Sequence, residues 1–403
     1  MASRKGSPED SRADQVRRRI LPPDDDERIN IREDRREARR NGERLRALPY
    51  REQTALVEKE EELQSWALAE LFCDDSAQAV ADGRAAEALQ SAKIALRVAG
   101  LAREEKSWRT RLESYAWSHL AHARRALGEQ SEAEEAFRHA ETLWMEGAAS
   151  HPGPLDSARS LRLESLLRKA QRRFKEGLDL LDRAQTIAHP AEELVIRIQK
   201  GAFLGISDRW NDAVRELLRA GTALNARHPP RLRLDFSFNL LICLIHSGNP
   251  SEAEKILGEA RKLAETHGNE VDRIRVRWQE ARVAAGLQRT QAALTAFADA
   301  RSALAGHGLP YDAALATFEL AALHAEQGQA AKVKELSREL AALIGSPPAE
   351  TVARESQATI KLFCKLIEKD SLNPEQVRRF AGDFLKTAGD PSLRLEIWPL
   401  RAD

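Results

Sequence analysis

The chain has 403 residues, and its 63 basic side chains balance 63 acidic ones, which leaves no long-range field to draw in nucleic acid or an anionic membrane. Hydrophobic residues make up 42% and aromatics only 5%, with alanine and leucine dominant, a composition that favours helices over strands. The longest apolar run, Leu240 to Ile245, falls far short of the ~20 residues needed to cross a bilayer. The start, Met1 to Pro8, is polar and unlike a secretory signal. Cys73, Cys243 and Cys364 lie far apart beside leucine or phenylalanine, which reads as packed free thiols and a cytoplasmic location.

Residues 1–50 carry fourteen Lys/Arg and eleven Asp/Glu, with few aliphatics and no aromatic before Tyr50. Such a stretch buries too little apolar surface to offset chain entropy, so it is expected to be a disordered or loosely helical arm. A helix starting near Pro22-Pro23-Asp24-Asp25 would have acidic residues at its positive end, with Asn41-Gly42 and Leu48-Pro49 interrupting it.

From Arg51 the pattern becomes one of repeated helix pairs. The clearest runs from Ser114 to Trp144, with Trp117, Leu120 and Ala121 on a first helix, Gly128 in the turn, and Ala133, Phe137 and Ala140 on a second. Small residues equivalent to Ala133 recur at Ala88, Gly177, Ala213, Ala253, Ala293 and Val333, at intervals of 45, 44, 36, 40, 40 and 40. Turn glycines precede three of these as Gly83, Gly248 and Gly328, while Arg172, Asp208 and Gln288 take that place in three others. Leu181, Leu217, Leu257 and Phe297 follow one turn later, then Ala95, Ala184, Ala220, Ala260 and Ala300. Small residues allow two helices to cross at ~8–10 Å while larger neighbours fill the grooves.

This pattern resembles the tetratricopeptide repeat, over about residues 70 to 345. Arg124 stands where that family has tyrosine, and the spacing exceeds its usual period of about 34 residues. The resemblance implies an all-α fold, a right-handed α-solenoid of antiparallel helix pairs. The repeats then occupy residues 51–345. Gly/Pro loops separate the units: His151-Pro152-Gly153-Pro154, His189-Pro190, His228-Pro229-Pro230, Gly306 to Pro310 and Gly345-Ser346-Pro347-Pro348. Asn249-Pro250 and Asn373-Pro374 read as Asn caps followed by proline in the first turn. Two helices within residues 346–389 are expected to cap the array, and Asp390-Pro391 to open a short tail, residues 390–403, containing Trp398.

No HExxH, GxSxG, P-loop or GxGxxG is present, so neither catalysis nor a cofactor is expected. His119 and His122 share a helix face and His139 follows on the next helix, but no further metal ligands stand in register. Arg159, Arg162, Arg168, Lys169, Arg172, Arg173 and Lys175 crowd around a single acid, Glu164, yet the neutral chain and sparse aromatics argue against nucleic acid.

In the tetratricopeptide family the first helices line a binding groove. Its inward-facing positions map here onto Tyr115, His119, His122, Arg125, Arg159, Arg162, Lys169, Gln199, Phe238, Asn239, His246, Arg275, Trp278, Gln279 and Arg282. Asn239 matches an asparagine that carboxylate-binding members use on peptide backbone, without their accompanying lysines. The expected function is a non-catalytic scaffold or adaptor for a protein or peptide, with acidic groups or a free carboxylate suiting the cations and amides. The alternative is a ligand-sensing regulator whose array changes curvature when a peptide or small molecule binds. A third reading is a cryptic enzyme or metal protein using His119, His122 and His139.

Overall fold

A computed structural model describes residues 25–149, 154–345, 354–369 and 371–388. The loop residues 150–153 and 346–348, the start of the arm, the Asp390-Pro391 stop and the tail with Trp398 lie outside the described residues. No helix among those described is long and apolar enough to cross a membrane. The chain divides into two compact units, Met1–Ile196 and Arg197–Asp403.

The first unit holds α1 (Asp25–Arg46), α2 (Tyr50–Lys59), α3 (Trp66–Ala81), α4 (Ala85–Leu101), α5 (Lys106–Ala126), α6 (Gln130–Glu146), α7 (Ser157–Ala170) and α8 (Phe174–Ile187). The division falls within α9 (Pro190–Ile206). The second unit continues with α10 (Trp210–Gly221), α11 (Pro230–His246), α12 (Pro250–His267), α13 (Glu270–Gly286), α14 (Thr290–Gly306), α15 (Pro310–Glu326), α16 (Ala330–Gly345), α17 (Arg354–Glu368) and α18 (Pro374–Ala388).

The repeat register read from the small residues is borne out. Ala88, Ala133, Gly177, Ala213, Ala253, Ala293 and Val333 each sit fourth in the second helix of a pair, and all are buried. The turns are equally uniform. Gly83, Gly128, Gly248 and Gly328 have φ of 77°, 84°, 78° and 69°, and Arg172, Asp208 and Gln288 adopt 59°, 59° and 60° at the equivalent place. In each case the next residue's N–H closes the helix end on a carbonyl five residues back, as in Arg173 to Arg168 at 2.8 Å and Asn249 to Leu244 at 2.8 Å. That is the Schellman ending, which requires a left-handed residue and so accepts a non-glycine only under strain. Asn249 departs from its expected role: its side chain turns back to the Ser247 carbonyl at 3.1 Å and does not cap α12. Asn373 does cap α18, accepting from the Gln376 N–H while the Gln376 side chain accepts from the Asn373 N–H, both at 2.9 Å.

Within the charged arm, α1 packs on α3. Ala38, Leu45 and Gly42 are buried, and Ile31 lies against the same core. Arg35 grips the Glu70 carboxylate with two bonds of 2.8 Å, and the Trp66 indole N–H donates to Asp34 at 2.9 Å. The helix continues through Asn41-Gly42 rather than breaking there, and the glycine lets α1 press against Leu71, whose Cδ2 would have to shift to admit a Cβ.

In the second unit, α18 folds back on α15. Phe384 stacks on Tyr311 at 4.8 Å and meets Phe318 at 5.1 Å, while Phe363 of α17 packs edge-on to Phe318 at 4.9 Å. These aromatics cover the apolar face of the last repeat.

Candidate functional site

The polar groups of the first helices fall at equivalent positions. Asp74, His119, Gln199, Asn239, Gln279 and Glu319 each lie fourteen residues before their repeat's small residue (74 to 88, 119 to 133, 319 to 333); only the third repeat departs, with Leu163. Of the six, all but Glu319 are buried. Burial of amides and charges in a helix stack is tolerable only when they are bonded.

Arginine–carboxylate pairs join one first helix to the next. Arg159 Nε donates to Glu192 Oε2 at 3.2 Å, and Arg275 Nη2 to Asp312 Oδ1 at 2.8 Å, from the same position in two different repeats. Arg231 and Asp272 add a third link at 2.7 Å. In the first unit the network is dense: Arg162 Nε reaches Glu192 Oε1 at 2.5 Å, and Arg159 also bonds the Tyr115 hydroxyl at 2.8 Å and Asp74 at 3.0 Å. Burial alone would raise the Glu192 pKa, but Arg162 and Arg159 together hold it at about 2. Burial pushes His119 and His122 well below the usual imidazole range, with Arg159 acting on the first and Arg125 on the second.

The residues expected to face a groove are therefore largely interior. His119, His122, Arg162, Gln199, Asn239, Trp278, Gln279 and Arg282 are buried, and Arg125, Lys169 and Arg275 half-buried. The basic cluster around Arg168 is likewise not the one-sided patch its sequence suggests. Arg168 pairs with Glu164 and Glu134, and Arg173 with Glu134 and Glu176, because α6 supplies Glu134 and α8 supplies Glu176 beside Glu164 of α7 itself. His139 does not join the other two histidines; its ring meets Trp117 edge-on at 4.6 Å. No cluster of three His, Cys, Asp or Glu side chains arranged to hold a metal ion occurs among the described residues.

The second unit contains an open site. A cavity of about 430 Å³ lies between α11, α13 and α15, walled by α18. Its apolar lining includes Ile245, Phe297, Leu315, Leu323 and Leu385, and its polar lining His246, Arg282, Glu319, Glu326 and Arg378. Arg282 is held on several sides: its Nε donates to Glu319 Oε1 at 2.8 Å, Nη1 donates to Gln279 Oε1 at 3.2 Å, and its guanidinium lies 4.3 Å above the Trp278 ring. The Trp278 N–H donates to the other Glu319 oxygen at 2.6 Å. His246 stacks on Trp210 at 4.3 Å, and Arg378 pairs with Glu326. Of the polar residues lining this cavity, sequence reasoning singles out His246 and Arg282 but not Glu319, Glu326 or Arg378. The recurring polar position is a signal that would have found Glu319; Arg378 comes from a helix outside the repeat pattern and left none.

No protein-family model and no curated protein matches the sequence. Among solved structures the chain is similar to a Rap protein complexed with competence and sporulation factor, at 14% identity over 80% of this chain and 87% of that one, with a TM-score of 0.56. The apo form of RapI is similar at 13% identity over 79% of this chain and 98% of that one, with a TM-score of 0.49. Aspartyl phosphate phosphatase F from Bacillus subtilis is similar at 13% over 80% and 84%, with a TM-score of 0.43. The register and turns described above, together with the first of these likenesses, define an all-helical repeat protein. Its fold is tetratricopeptide-like.

Proposed function

We propose that the chain is a non-catalytic scaffold that binds a protein or peptide, and that the cavity walled by α18 takes one large apolar side chain of that partner. The observation that carries this reading is a lining that combines apolar side chains with immobilised donors and acceptors. A volume of about 430 Å³ is within the usual range of ligand sites. Arg282 and Glu319 are held in one orientation by Trp278 and Gln279, so a peptide N–H or C=O group arriving at the cavity meets side chains that need no further ordering. An acidic group would meet Arg282 or Arg378 only in competition with Glu319 or Glu326, which favours recognition of backbone and apolar surface over carboxylate. The similarity in fold to a Rap protein complexed with a factor supports binding as the use of such a fold. The groove residues of the first unit, His119, His122, Arg125, Arg162 and Lys169, act in this reading as supports that fix the first helices. In the second unit Gln199, Asn239 and Arg275 do the same, while Trp278 and Gln279 position Glu319 and Arg282, which line the cavity.

A second reading, a ligand-sensing regulator, is favoured by one feature. Ala381, Gly382 and Leu385 of α18 form a wall of the cavity, so an occupant bears directly on the C-terminal helix.

The test uses a random peptide library panned on the full chain and on Gly382→Leu. A Cβ at Gly382 meets nothing within 4 Å, so a leucine there starts into open space on the cavity wall. Enriched peptides should carry a large apolar residue and lose binding to Gly382→Leu. No enrichment, or equal binding to both proteins, contradicts the reading.

A further inference from the structure

The first unit contains a separate opening on the side of its second helices. In several repeats the second helix packs along the following first helix, as α4 does on α5, α12 on α13 and α14 on α15. Between α6 and α7 that contact is sparse. The intervening linker is long, from Gly147 to Asp156, and α7 presents Ser157, Ser160 and Glu164 toward the gap. The result is a groove of about 600 Å³, with α6 and α8 as walls and α5 and α7 beneath.

Two properties of this groove call for an occupant. The first is apolar surface left in water. Met145 is 69% exposed and Ile187 37%, and both share one lining with Phe137, Trp144, Leu161 and Leu180. Large exposed apolar side chains gathered in one groove mark an interaction surface more often than scattered ones do. The second is charge. The lining has four carboxylates, Glu141, Glu164, Glu176 and Asp179, against two guanidinium groups, Arg168 and Arg183. Arg168 is engaged by Glu164, and Glu176 by Arg173. Glu141 and Asp179 make no ion pair among the described residues. Burial pushes the Glu164 carboxyl above the usual range; Arg168 opposes this, and the nearby Glu141 carboxylate adds to it.

We infer that this groove docks a cationic amphipathic helix of a partner protein. The geometry leaves room for a further helix: neighbouring helices pack ~8–10 Å apart, and here the contact between the second helix α6 and the first helix α7 has opened, with α8 as the far wall. The partner's apolar stripe covers Met145, Ile187, Trp144 and Leu161, and its lysines or arginines reach Glu141 and Asp179. The same carboxylates repel nucleic-acid phosphates and acidic peptides. This surface shares no residue with the cavity of the second unit, so the two proposals stand or fall separately.

The probe is a fluorescein-labelled amphipathic Leu/Lys peptide of about five helical turns, with a Leu/Glu peptide of the same length as control. Anisotropy titrations use the full chain, Glu141→Lys/Asp179→Lys and Met145→Asn/Ile187→Asn, each checked for an unchanged thermal midpoint. The Leu/Lys peptide should bind one to one and weaken by roughly tenfold or more in both variants, as for lost charge pairs and lost apolar contact. The Leu/Glu peptide should not bind. A second readout needs no variant. The chain has two methionines, Met1 and Met145, so peroxide oxidation followed by mass spectrometry reports directly on the groove, and the Leu/Lys peptide should protect Met145. Absence of saturable binding, equal binding of the two peptides, unaltered affinity in the charge-reversed variant, or binding without protection of Met145 overturns the proposal.

Discussion

Arg172, Asp208 and Gln288 occupy turn positions where four other repeats place glycine, and all three hold the same left-handed conformation. A side chain costs about 1–2 kcal/mol there, partly offset by the smaller entropy lost on folding compared with glycine. Gln288→Gly should therefore raise stability by about 0.5–1 kcal/mol, whereas Gly248→Ala should lower it by about 1 kcal/mol, both read from urea unfolding. Asp208 should gain least from glycine, since aspartate tolerates this region better. Glu192 gives a pH signature. Its folded pKa of about 2 lies below the ordinary 4.5, so its contribution is complete above about pH 4.5 and is lost as pH falls toward 2. At about 1.4 kcal/mol per pKa unit this amounts to about 3 kcal/mol. The lowered imidazole pKa values of His119 and His122 add acid sensitivity from pH 6.5 downward, because the unfolded chain takes up protons that the folded one does not. Glu192→Gln should be less stable near neutrality, by about 3–5 kcal/mol for a broken buried pair, and should lose less stability than the parent between pH 5 and 3. Equal acid sensitivity in the two proteins would contradict the network as described.

The helix pairs were legible because their packing rule is local. A small residue must sit fourth in each second helix, and seven such positions stand out in register across Ala88 to Val333. Ala133→Leu should cost about 1–3 kcal/mol by overpacking, since Ala133 is fully buried. The docking of α1 was not legible from composition, because charge dominates the arm. The signal was positional: Ile31, Ala38 and Leu45 are spaced by seven residues and share one helix face, with Gly42 at the close approach to Leu71. A chain starting at Ala47 should therefore melt earlier, with about 3 kcal/mol or more lost through exposure of Leu45's contacts and removal of the Arg35–Glu70 pair. An unchanged midpoint would show that α1 is dispensable. For α18, Gly382→Leu should stabilise by about 0.5–1 kcal/mol through helix propensity, apart from any effect on binding.

At the scale of the whole molecule, the repeat fold followed from sequence while the chemistry of its candidate sites did not. The arginines and amides of the first helices are visible in sequence, but not the carboxylates they meet on the next helix. Arg159 to Glu192 is 33 residues and Arg275 to Asp312 is 37, so the pairing follows each repeat's own length rather than a fixed spacing. That difference underlies the proposed function: paired cations hold the first helices together, and binding falls to places where the stack leaves space. The most direct measurement of this claim is hydrogen exchange of the full chain with and without a peptide selected by panning. Protection should rise in α13, α15 and α18, the helices around Arg282, Glu319 and Gly382. Protection confined to other helices, with these three unchanged, would contradict it.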